Sequence, residues 1–253
     1  MALRIFETDP DAKPKQRVSF ADDFVGRFRS GRMVGTGRQA RPESLNEWRV
    51  TTGDPVVAAK VAELFGGTPG SWDTDSEDST EILTEAPSVP VIIDSADALT
   101  SDMRLYGAMG GEPIHWCDGM YFLDEDQKGQ PCGCPELLVD RKALAKSGRG
   151  PKPAIVLVFR LADAPDLGKF RFRTGSWDLA KVEHEVKNAL DEVGAPARSR
   201  LTLEPVEFIA KNGPMKGKTV SYTKPVIKVL GAYEPAVPVA EADDPWAALP
   251  DAA

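Results

Sequence analysis

The run Ala154-Ile-Val-Leu-Val-Phe-Arg-Leu161 is apolar at every position but Arg160. It is short for a core helix and rich in β-branched residues, so it reads as an interior strand covered on both faces. Such a strand demands a sheet around it. Lys169-Phe-Arg-Phe-Arg173 supplies a neighbour, because strict alternation turns Phe170 and Phe172 inward and the bases outward. The turn residues Ala164-Pro-Asp-Leu-Gly168 between them predict an antiparallel hairpin. Further strands are expected at 89–93, 200–210 and 218–230, with Pro225 pushing part of the last to an edge or bulge.

Two helices have readable ends. Ser176 caps and Gly194 stops a segment in which Leu179, Val182, Val186, Leu190 and Val193 form one stripe. Asp54, Pro55 and Gly66 bracket a second, with Val57, Val61, Leu64 and Phe65 on one face. The fold class expected is α+β: an antiparallel sheet with one main covering helix, a loop-rich N-terminal region and a small zinc-stabilised loop. The expected division is 1–88 (basic arm, helix and acidic linker), 89–233 (α+β core) and 234–253 (acidic, Pro-rich, disordered tail).

Charge narrows the partners. The 253 residues carry 31 bases and 39 acids, a net charge of −8, which argues against a general polyanion binder. The balance is uneven, since residues 12–42 hold eight bases and only Asp22 and Asp23 as acids. Residues 72–81 hold five acids and no base, and read as an exposed loop or linker. The tail ends in Asp243-Asp-Pro-Trp-Ala-Ala-Leu249, an acidic run with an apolar anchor. No run of 18 apolar residues and no signal-peptide pattern occurs, so a cytoplasmic protein is expected.

All three cysteines and one of two histidines fall within twenty residues: His115, Cys117, Cys132 and Cys134. Cys3His is a donor set of tetrahedral zinc, and two ligand pairs joined by a loop are the arrangement of small zinc ribbons. Gly119 and Gly133 beside the pairs allow sharp turns. Four protein donors close the coordination sphere, so the metal is expected to be structural. His184 falls on the polar face of its helix, and no nucleophile elbow, phosphate loop or dinucleotide fingerprint is present, so no catalytic residues are expected.

Several segments together resemble one family. They are Leu3–Gly31, Ser44–Asp54, the cysteine segment, Lys146–Pro151, Thr174–Trp177 and Asn212–Met215. They are similar to the recombination directionality factors (excision factors) of Streptomyces temperate phages that use a large serine integrase. The resemblance implies a non-enzymatic protein of the bacterial host's cytoplasm. It would bind integrase, free or already on att sites, touch DNA only through it, and switch it from attP × attB integration to attL × attR excision. For the integrase contact the expectation falls on the basic arm: Arg17, Phe20, Phe24, Arg27, Phe28, Arg29 and Arg32, the phenylalanines sharing a helix face at spacing four. The alternative is a zinc-containing single-stranded DNA-binding protein of phage replication, using Lys169, Arg171 and Arg173 with nearby aromatics.

Overall fold

The computed structural model describes residues 23–35, 40–72, 74, 77–108, 110–194, 196–210 and 216–235. Among them are eleven strands: β1 (Phe24–Val34), β2 (Arg41–Thr52), β3 (Pro69–Ser71), β4 (Thr80–Leu83), β5 (Ser88–Ile93), β6 (Leu99–Tyr106), β7 (Pro113–Cys117), β8 (Lys152–Leu161), β9 (Lys169–Thr174), β10 (Ala197–Ile209) and β11 (Thr219–Ala232). The helices are α1 (Pro55–Phe65), α2 (Leu138–Lys146) and α3 (Trp177–Val193).

The α+β expectation holds. Strand order is β11-β10-β5-β8-β9-β1-β2-β4-β3, with β6 also on β8 and β7 on β6. Every pairing is antiparallel except one seam, where β1 runs parallel to β9. The predicted β8–β9 hairpin forms, with Phe159 opposite Phe170 and Leu157 opposite Phe172. β8 is interior: β9 lines one edge, and β6 and β5 share the other. Only one of its faces is fully buried (Ile155, Leu157, Phe159, Leu161), while Ala154, Val156 and Val158 are half-buried. β11 ends the order as an edge strand, where Pro225 is tolerated.

The sheet curls until β2 meets β11. Thr223 Oγ1 donates to the Leu45 carbonyl at 2.7 Å and lies 2.7 Å from Ser44 Oγ, while Trp48 Nε1 donates to the Pro87 carbonyl at 3.0 Å. Inside the curl Phe28 stands edge-on to Trp48, Phe159 and Phe170, with ring centroids 5.2–5.7 Å apart, and Trp48 packs on Phe172 at 5.1 Å. Edge-to-face pairs of this kind add about 0.5–1.5 kcal/mol each beyond area burial.

Both predicted helices form with their caps. The Asp54 side chain accepts from Val56 N, and that of Ser176 from Leu179 N. Gly194 takes the left-handed conformation that ends α3. Leu179, Val186 and Leu190 are buried, but Val182 of the expected stripe is exposed, lining an open groove between α3 and β11.

Within the basic stretch 12–42, residues 24–34 are strand rather than loop: β1 pairs with β2 and is set in the sheet beside β9. Arg17, Phe20 and the tail from residue 236 lie outside the described residues. The acidic stretch 72–81 is corrected in part: Asp78 is fully buried, and Thr80 and Glu81 belong to β4.

Candidate metal centre and the arginine face

His115 and Cys117 both lie on β7, two residues apart, so strand alternation sends both side chains to one face. A single intervening residue, tight for a loop-borne ligand pair, is the natural spacing for a strand-borne one. After β7 the chain turns at Gly119 (φ +102°) and the Asp118 carboxylate accepts from Met120 N and Tyr121 N, both at 2.7 Å. These bonds hold the Asp118 carboxyl below its usual pKa range. The chain then folds back, with Phe122 N donating to the Gln130 carbonyl and Cys132 N to that of Met120. A further left-handed glycine, Gly133 (φ +71°), presents Cys132 and Cys134 to the first pair. Arg141 of α2 ties the turn down by donating to the Gly119 carbonyl at 2.8 Å.

The four donor atoms lie within 4.8 Å of one another. Cys117 Sγ is 3.8 Å from Cys134 Sγ, and His115 Nε2 is 3.2 Å from Cys117 Sγ and 3.5 Å from Cys134 Sγ. A tetrahedral ion with metal–sulfur bonds of about 2.3 Å and metal–nitrogen bonds of about 2.0 Å has edges of roughly 3.5–3.8 Å. One ion can touch all four atoms, and the residues fit a structural metal. Burial pushes the Cys117 and Cys134 thiols up and the His115 imidazole down, so without a cation the cluster favours its neutral forms.

The described residues among the other expected contacts lie on β1, where register shifts after Phe24 and after Arg29 break simple alternation. Phe28 is 1% exposed and belongs to the aromatic core, so it is corrected from a contact residue to a packing residue. Phe24 is half-buried beneath the Arg171 guanidinium, whose carbon is 4.8 Å from the ring centre. Arg27 pairs with buried Asp78, whose other oxygen accepts from Thr51 Oγ1 at 3.1 Å. Arg29 donates to Thr51 Oγ1 at 3.2 Å, and exposed Arg32 pairs with Glu43 at 2.8 Å. The Phe20–Phe24–Phe28 helix face is therefore not formed, since Phe24 and Phe28 are strand residues.

Register joins these bases to others that the sequence reading left apart. Arg27 stands beside Arg171, and Arg29 faces Arg49. Arg49 pairs with Glu81 at 2.6 Å and stacks on Trp72, 4.3 Å from its ring centre. The signal was present as a repeated base-Phe-base pattern, Arg27-Phe-Arg29 and Arg171-Phe-Arg173. Phe159 and Phe172 are buried and cannot stack on nucleic-acid bases, which leaves the single-strand reading half-buried Trp177 of its nearby aromatics.

Removing the Asp78 carboxylate strips Arg27 of a buried acid. Asp78→Ala is expected to cost about 3 kcal/mol, read as a lowered midpoint in urea unfolding, because breaking a buried pair from one side strands the other charge. An unchanged midpoint would contradict the pairing.

A protein-family model described as Gp3-like, recombination directionality factor-like, matches residues 25–229. No solved structure matches the chain. No helix of the described residues is long and apolar enough to cross a membrane.

Proposed function

Because the chain belongs to the recombination directionality factor-like family, we propose that it binds a phage large serine integrase and switches it from attP × attB integration to attL × attR excision. The observation that carries this reading is the extent of the family match, which runs from β1 into β11 and so takes in the whole curled sheet. The family is a regulatory, non-enzymatic kind, and the breaking and joining of DNA belongs to the integrase.

The physical basis is a population shift. Integrase bound to the two kinds of site holds its subunits in different arrangements, and a factor that prefers one arrangement stabilises the synapse containing it. It moves the balance only by its difference in affinity for the two. Reversing the preference from about 1:99 to about 99:1 takes roughly 5.5 kcal/mol, within reach of one protein interface. A net charge of −8 suits a factor that reaches DNA through its partner.

The ion we assign to His115, Cys117, Cys132 and Cys134 is zinc, on the strength of a Cys3His donor set with tetrahedral edges. Bound there, it would cross-link β7 to the 132–134 turn and hold that loop in one shape. Four protein ligands leave no open position, so its role is structural.

Of the contact residues expected from the sequence, half-buried Arg29 and exposed Arg32 line one surface cleft, which supports a contact there. The reading is tested by mobility shift on att-site DNA. The chain alone should leave the DNA unshifted, and should further retard the integrase–DNA band. Failure to alter that band at micromolar concentration would remove the proposal.

A further inference from the structure

The outer face of β9, β1 and β2 forms a cleft of about 630 Å³ lined by Arg29, Arg32, Arg49, Arg173, Trp72 and Glu81. Its charges do not balance. Arg32 is answered by Glu43 and Arg49 by Glu81. Arg29 has the Thr51 hydroxyl and the Trp72 ring, 5.5 Å away, as partners, and no carboxylate among the described residues pairs with it. Arg173 likewise has no ion-pair partner among the described residues. Burial and the neighbouring Arg49 hold Arg29 below the usual guanidinium range; the Asp78 carboxylate opposes them, and Arg27 and Arg171 add to them. Like charges brought this close repel unless an anion comes between them.

We propose that this cleft is the docking site for an acidic segment of a protein partner, with carboxylates received by Arg29 and Arg173 and an apolar side chain laid against Trp72. A guanidinium presents a planar fork that pairs with a carboxylate through two parallel hydrogen bonds, which favours this ligand. The shape favours it over DNA. A duplex offers a long row of phosphates and calls for an extended basic track. Here the arginines converge on one cleft, with Glu43, Glu81 and buried Asp78 among them, on a chain of net charge −8. A short acidic segment responds to the field within about 8–10 Å, where arginine dominates. The inference deepens the integrase reading and rests on it only for the partner's identity.

The test is fluorescence anisotropy with fluorescein-labelled hexaglutamate and, separately, with labelled hexathymidylate, at 50 mM salt. The wild-type chain should bind hexaglutamate more tightly than hexathymidylate. The double variant Arg29→Gln/Arg173→Gln should weaken hexaglutamate binding at least tenfold. Arg160→Gln, which breaks an exposed pair with Asp94 elsewhere on the sheet, should leave it within twofold. Thermal unfolding of each variant confirms that the sheet is intact, and the single substitution of exposed Arg173 provides a milder version. Equal peptide binding by folded wild type and double variant would overturn the inference, as would arginine-dependent preference for hexathymidylate. A chain that captures integrase but ignores hexaglutamate overturns this inference alone. One that binds hexaglutamate but not integrase overturns the partner reading alone.

Discussion

Cys117→Ser is expected to abolish stoichiometric metal binding. Wild-type chain purified without chelator should carry about one zinc per chain and the variant on the order of a tenth of that, read by elemental analysis. Cys117 is buried at the end of β7, in contact range of both His115 and Cys134, so its thiolate stands at the centre of the donor set. Its loss should release residues 113–137 locally, seen as faster amide exchange there than in β8–β9. The sheet should survive, because its aromatic core lies inside the curl of β1, β2, β8 and β9. The metal should also be lost on acidification. Its ligands bind deprotonated, burial holds the metal-free thiols protonated, and affinity therefore falls as pH falls. A variant that keeps its metal would contradict the assignment.

Phe28→Ala carries the second large effect. The ring is 1% exposed and touches Trp48, Phe159 and Phe170 edge-on. Truncation leaves a cavity at the centre of the fold and should cost about 3–5 kcal/mol. For a chain of this size that lowers the midpoint of thermal unfolding by on the order of 10 °C. The result separates two roles for one residue. A contact residue on an open arm would lose partner binding at unchanged stability, whereas a core residue loses stability first.

Phe20, Phe24 and Phe28 recur at spacing four, which is close to one helical turn and is also twice the strand period. The pattern is degenerate between the two, and the glycines around it favour loop. Their actual purpose is close packing. A Cβ on Gly26 would come within 2.9 Å of the Phe170 ring, and one on Gly31 within 2.7 Å of the Glu43 carbonyl, at a bulge in the β1–β2 register. The alternation of Arg27 and Arg29 around Phe28 was the discriminating sign. The parallel β1–β9 seam left no local trace, because the two strands are separated by more than a hundred residues and their pairing is a tertiary choice. By contrast, the β8–β9 hairpin and the capped helices were legible because each is set by adjacent residues. The metal cluster was legible because soft donors at close spacing carry their chemistry into any fold. Its strand-borne pair was not foreseen, since the segment holding Ile114, His115 and Trp116 is too short to show alternation convincingly.

The most direct measurement is recombination in a purified mixture of cognate integrase and paired att substrates, with and without this chain. With the chain present, attL × attR should recombine and attP × attB joining should fall. Without it the preference should run the other way. Identical product ratios in the two mixtures, with folded and zinc-loaded protein, would contradict the proposed role.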